Sequence, residues 1–153
     1  MPRSIWITGD THGLYDMGKL LVNSWKEQHK MDKSDYLIVS GDTGIGWNGF
    51  DEKGNDRDHS LKDMYNKKKF TTLWIDGNHE NFDALNRYKV ESWNGGKVHR
   101  ITDSIIHLMR GQVYEIYGKK FFTFGGGYSM DKSYRTPGIS WWPQEMPVEA
   151  EYQ

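Results

Sequence analysis

Cysteine is absent from the 153 residues, which excludes disulfides, thiolate zinc sites and cysteine nucleophiles together and suits a reducing compartment. Excess charge is absent as well. With 20 Lys+Arg against 21 Asp+Glu the formal net charge is -1, which argues against a nucleic-acid partner held by phosphate-backbone attraction. No apolar run approaches the roughly 20 residues of a membrane span. The opening Met1-Pro2-Arg3-Ser4 leads too soon into Gly9-Asp10 to be a signal peptide. The expectation is a soluble, cytoplasmic protein without a membrane partner. Hydrophobic residues make up only 36% of the chain, yet 7 Trp, 9 Tyr and 6 Phe each remove a large apolar area from water, so a core can be built from few side chains. The length leaves room for one such core, and residues 1–153 are read as one domain.

Three segments share one design, a short apolar run that stops at Gly followed by Asp or Asn. They are Ile5-Trp6-Ile7-Thr8 before Gly9-Asp10, Tyr36 to Ser40 before Gly41-Asp42, and Leu73 to Asp76 before Gly77-Asn78. Continuous apolar runs of this length suit strands covered on both faces, as in parallel sheets. Between them, Met17, Leu20, Leu21 and Trp25 recur at helical spacing after Asp16. Leu61, Met64 and Tyr65 do so before Lys67-Lys68-Lys69, and Phe82 with Leu85 mark a shorter helix. The order βαβαβα predicts an α/β sheet. From about Gly95 short strands follow, at Val98–Ile101, Ile105–Met109, Val113–Tyr117 and Phe121–Phe124, with a hairpin connection at Tyr117-Gly118-Lys119-Lys120. The proline-rich end permits only a short helix after Pro147.

In open α/β sheets ligands gather at the carboxyl ends of the parallel strands. Here those ends deliver Asp10 and His12, then Asp42, then Asn78, His79 and Glu80. Carboxylate, imidazole and amide oxygen without sulfur suit Mn²⁺, Fe or Zn²⁺. Each residue alone is equally good turn or cap chemistry; the repeated placement is what points to a metal centre.

The strings GDTHG (Gly9–Gly13), GDTGIG (Gly41–Gly46) and GNHE (Gly77–Glu80) resemble, in order and spacing, the first three motifs of the calcineurin-like metallophosphoesterases. HLMRG at His107–Gly111, FTFGGG at Phe122–Gly127 and SWWPQEMP at Ser140–Pro147 further resemble small bacterial and prophage members. The resemblance implies an α/β sandwich of two mixed β-sheets flanked by helices. It also implies a two-metal hydrolase in which a hydroxide bridging the ions attacks phosphorus. By that resemblance Asp10 and His12 hold the first ion, Asp42 bridges both, and Asn78 holds the second. His79 is not a ligand but faces the leaving group as general acid or transition-state donor, and Glu80 orients His79. The implied substrate is a phosphomonoester, a nucleotide or a phosphodiester. Thr43-Gly44-Ile45-Gly46 lacks the Asp and Arg of the phosphoprotein phosphatase form.

The resemblance further implies histidine ligands from the C-terminal part of the fold, one pair in a Gly-His-x-His motif that this sequence does not contain. After Glu80 only His99 and His107 occur, both in apparent strands and read as structural. The second ion is therefore expected to bind weakly. The last strands of the family fold would lie past Gln153, so the C-terminal part reads as missing, with a sheet edge left for a second copy or a completing chain to cover. The alternative, from another functional class, is a catalytically impaired or silent interaction module on the same scaffold. Gly125-Gly126-Gly127 reads as a strand-exit turn, and Trp141-Trp142 as core or interface.

Overall fold

A computed structural model describes residues 3–152; Met1, Pro2 and Gln153, which the expected domain includes, lie outside the described residues. The three predicted strand-to-Gly segments form β1 (Ile5–Thr8), β2 (Tyr36–Ser40) and β3 (Thr71–Ile75). They lie side by side and parallel, with Thr8 opposite Val39 and Ser40 opposite Ile75. This register brings the three Gly-Asp or Gly-Asn exits to one edge of the sheet.

Beyond β3 the sheet becomes mixed. β4 (Val90–Trp93), β5 (Gly96–Thr102) and β6 (Ile105–Leu108) complete six strands in the order β1-β2-β3-β6-β5-β4. β6 runs parallel to β3, whereas β5 and β4 follow as antiparallel neighbours. β4 has no counterpart among the predicted strands because Val90-Glu91-Ser92-Trp93 offers only two apolar residues, and at positions i and i+3 they fall on opposite faces, so no alternating pattern forms. β7 (Gln112–Ile116) and β8 (Lys119–Thr123) make a separate antiparallel pair. They are joined by Tyr117 and Gly118, both at positive φ, which is the backbone of a type I′ hairpin turn.

Side chains alternate along β2, so Leu37 and Val39 face one side of the sheet and Ile38 the other. On the first side they pack with Tyr65, Phe70, Trp74 and Trp142 beneath α1 (His59–Asn66) and α2 (Phe82–Leu85). On the second, Ile38 packs with Leu73, Val98 and Ile106 against Tyr114 and Ile116 of the hairpin. Full burial of a large apolar side chain contributes about 1.5–3 kcal/mol, so both layers fasten the central strands whose ends carry the polar clusters. β1 is an outer strand of the sheet and leaves Ile7 64% exposed.

The predicted helix after β1 is replaced by two short 3-10 turns, Met17–Leu20 and Lys26–Lys30. Met17 and Leu20 are buried, but Leu21 is exposed and Trp25 turns toward Trp6 and Phe70. The preceding residues form a turn of their own, in which Asp16 N–H bonds back to the Thr11 carbonyl and Tyr15 N–H to that of His12. Within the segment itself the bonds close over three residues, Lys19 N–H to the Asp16 carbonyl and Leu21 N–H to that of Gly18, and Gly18 lowers the preference for a regular helix. The terminal helix predicted after Pro147 is a single 3-10 turn, Glu149–Glu151.

Candidate metal centre

The loop after β1 is tied to the loop after β2 through the backbone. Thr11 and His12 N–H both donate to the Asp42 carbonyl, at 3.1 and 2.8 Å, and Gly13 N–H donates to that of Thr43. His12 sits in the left-handed region at φ 42, which is uncommon for a side-chain-bearing residue. That conformation turns its ring toward the carboxylates. Its Nε2 lies 3.6 Å from Asp10 Oδ2 and 3.6 Å from Asp42 Oδ2, while Nδ1 contacts Asp16 Oδ2 at 2.7 Å. With Nδ1–H donating to the Asp16 carboxylate, Nε2 presents its lone pair to the same space the two carboxylates face.

Asp42 is the buried centre of the arrangement, only 3% exposed. Its Oδ1 accepts the backbone N–H of His79 at 2.9 Å, and its Oδ2 lies 3.1 Å from His79 Nδ1. No lysine or arginine pairs with this carboxylate among the described residues; Lys19 Nζ, the nearby ammonium, goes to the Asp10 carbonyl instead. Two glycines make the approach possible. A Cβ on Gly77 would collide with the Asp42 carboxylate, and one on Gly41 with that of Asp10.

His12, Asp42 and His79 each offer a ligand atom within 4.8 Å of the others. Asp42 also separates two cavities. One of about 830 Å³ is lined by His12, His79, Trp47 and Arg57, and one of about 260 Å³ by Asp10, Asn78 and Asp76. The donors are imidazole nitrogens and carboxylate or amide oxygens. A buried carboxylate with no lysine or arginine partner among the described residues, faced by imidazole nitrogens and walled by glycines that admit it, fits a divalent ion of hard or borderline character. His79 Nε2 adds a buried nitrogen with no hydrogen-bond partner among the described residues; the Asp131 carboxylate is 3.9 Å away.

Glu80, expected to orient His79, is placed differently. It is buried and accepts the Gly77 N–H at 3.3 Å, and the groups touching the His79 ring are Asp42 and Asp131. Burial, with Asp76 and Asp42 nearby, pushes the Glu80 carboxyl well above the ordinary range. Asn78 projects from the same turn, with its Nδ2 donating to Ser129 Oγ at 2.9 Å.

His99 and His107 are both buried. Their Nδ1 atoms meet at 3.0 Å, and His107 Nε2 lies 3.1 Å from Asp76 Oδ1. Arg110 completes the cluster, with Nε donating to Asp76 Oδ2 at 2.8 Å. These two histidines brace the strand end behind the site. Gly126 and Gly127 spend their N–H groups on the carbonyls of Asp76 and Glu145, so they act as a strand-exit turn. Asp16, Ser129 and Glu145 were invisible as site residues in the sequence. Asp16 reads as a helix start and Ser129 as loop, while Glu145, in a polar stretch between prolines, is fully buried.

A family model described as calcineurin-like phosphoesterase matches residues 3–151. No curated protein and no solved structure matches the chain.

Proposed function

Because the chain belongs to the calcineurin-like phosphoesterase family, whose members are metal-dependent phosphoester hydrolases, we propose that Asp10, His12 and Asp42 hold one divalent ion and that Asp42 and Asn78 hold a second. The observation that carries this reading is the position of Asp42, buried, with no lysine or arginine partner among the described residues, and lining both cavities. When bound, such ions supply positive charge against the phosphoryl oxygens and acidify water. The remaining work falls to the chain. Asp16 holds the His12 tautomer, and Asp42 accepts the hydrogen bond of His79 Nδ1–H, which aims Nε2 at the departing oxygen; the imidazolium form of His79 gives that oxygen its Nε2 proton and ends neutral, with Nδ1–H still on Asp42.

The larger cavity favours an ester that carries an organic group of nucleotide size. Its walls include Leu14, Tyr15, Trp47 and Leu61 for an apolar or planar body, and Arg57 for a second anionic group. Mn²⁺, Fe and Zn²⁺ all suit the donor set.

One observation favours the second reading, a silent interaction module. His99 and His107, the remaining histidines after His79, are committed to Asp76 and to each other and add no ligand beside Asp42. Elemental analysis separates the two: about two ions per chain is expected of the two-metal enzyme, none of the module. A p-nitrophenyl phosphoester assay with added Mn²⁺ then compares the wild type with Asp42→Ala. Loss of the metal-dependent rate is expected, and equal rates would remove Asp42 from the reaction.

A further inference from the structure

Ser129 and Glu145 lie behind Asn78, outside the group of side chains that faces His12. We infer that they form a one-way hydrogen-bond relay that dictates which end of the Asn78 amide is presented to the Asp42 site. The inference rests on the reading of Asn78 as a metal ligand and adds two positioning residues to it.

The side-chain amide of asparagine is nearly symmetric in shape, and its two ends are told apart by the hydrogen bonds around it. Only the oxygen end can ligate a cation. Something must therefore hold the nitrogen end away from the Asp42 site, and the contacts show what does. Glu145 is 0% exposed and Ser129 1% exposed. Glu145 Oε1 accepts the backbone N–H of Ser129 at 3.0 Å, and Oε2 accepts its hydroxyl in a short bond. An ionised carboxylate accepts only, so the single hydroxyl proton of Ser129 is spent on Glu145. Ser129 Oγ is left as an acceptor toward Asn78, where the amide nitrogen sits at 2.9 Å. The Asn78 oxygen is thereby directed away from Ser129, and Asn78 borders the cavity shared with Asp10 and Asp42.

The relay is also held in place. The Glu145 carbonyl accepts the Gly127 N–H at 3.0 Å, and Gly126 N–H reaches the Asp76 carbonyl at 2.9 Å, two residues before Asn78. Burial works against the Glu145 charge, and the Ser129 hydrogen bonds together with Trp141 and the Lys132 ammonium outweigh it, holding the carboxyl below its ordinary range. The order of donors is fixed from both ends: a carboxylate at one, an amide nitrogen at the other, and one proton between them.

Glu145→Gln tests the polarity with almost no change of shape. The Ser129 N–H still requires an acceptor, so the new amide keeps its oxygen there and points its NH₂ at Ser129 Oγ. The Ser129 hydroxyl must then donate outward, which favours the oxygen end of Asn78 and turns the nitrogen toward the Asp42 site. Two measurements on the full chain read this out. In metal-free protein, nuclear magnetic resonance of the Asn78 side-chain NH₂ is expected to show one hydrogen-bonded, slowly exchanging proton in the wild type and to lose it in Glu145→Gln. In Mn²⁺ titrations, Glu145→Gln is expected to bind about 10–100-fold more weakly, the usual penalty for a lost outer-shell partner.

Ser129→Ala should weaken Mn²⁺ binding less than Glu145→Gln, because it frees the amide without reversing it. A merely structural role predicts no such order, since Ala removes more hydrogen bonds than Gln. Unchanged Mn²⁺ affinity in Glu145→Gln, or a wild-type Asn78 NH₂ that exchanges like an exposed one, overturns the relay. The second of these needs no variant to fold. A wild-type chain that takes up no Mn²⁺ at all overturns the ligand reading of Asn78 instead, and the resonance alone then decides the relay.

Discussion

A β-carbon on Gly77 would lie 2.6 Å from the Asp42 backbone nitrogen and would overlap the Asp42 carboxylate. The turn after β3 therefore touches the turn after β2 with nothing between them, and this is how Asn78 and His79 come to flank Asp42. Gly77→Ala should be destabilising by about 1–3 kcal/mol, the ordinary cost of overpacking a close contact. It should also weaken Mn²⁺ binding, because the carboxylate is what must move. Urea unfolding and a Mn²⁺ titration of the same variant check both; a variant matching the wild type in each would mean that the contact has slack.

Asp16 bonds to His12 Nδ1 at 2.7 Å and is itself half exposed. Its removal should cost little stability, within about 0.5 kcal/mol for a surface substitution. It should nonetheless weaken metal binding about 10–100-fold, because the imidazole loses the partner that fixes its tautomer and angle. Asp16→Ala is the variant, and the expected pattern is an unchanged denaturation midpoint with a displaced Mn²⁺ isotherm. A stability loss without any change in the isotherm would assign Asp16 to the turn alone.

Asp76 is held on both sides, by His107 at Oδ1 and by Arg110 at Oδ2, and its side chain is 1% exposed. Removing Arg110 leaves a buried carboxylate with a single partner, and breaking such a pair costs about 3–5 kcal/mol. Arg110→Met should be that destabilising, whereas Arg110→Met combined with Asp76→Asn should recover part of the loss. Denaturant unfolding of the four members of the cycle measures the coupling. Additive losses would show that the two side chains act independently.

The parallel strands and the three polar exits could be read from sequence because each is a local pattern: an apolar run, a glycine, then a ligand-type residue. The pairings that give the site its geometry are not local. Asp16 reads as the start of a helix, yet the turn at Thr11–Asp16 bends it back onto His12. Glu145 follows two tryptophans and a proline in a stretch that looks solvent-facing, and only the tertiary placement of Ser129 makes it a buried acceptor. The approach of Gly77 to Asp42 depends on the register of two strands separated by 30 residues of chain, a spacing on which local propensity carries no information. The expected helix after β1 failed for a related reason: periodicity reports an apolar face but not the tertiary contacts that draw Trp25 onto Trp6 and Phe70 and leave Leu21 exposed.

His99 gives the pH dependence of the fold a definite sign. His107 Nε2–H faces Asp76 and its Nδ1 then accepts the Nδ1–H of His99, so both rings are buried in one chain of hydrogen bonds. Burial, with His107 adding to it, lowers the His99 pKa from 6.5 to about 4, against a smaller opposing pull from Asp76. Between those two values the unfolded chain takes up a proton that the folded chain refuses. Stability from this group is therefore fully present above pH 6.5 and is lost as the pH falls toward 4, at up to about 1.4 kcal/mol per pH unit within the window. Denaturant unfolding at intervals from pH 7 to pH 5 should show that slope, and His99→Gln, although less stable throughout, should flatten it. The direct check is the His99 ring resonance, which should keep its neutral position at pH 5; a resonance already moved to the imidazolium position there would refute the account.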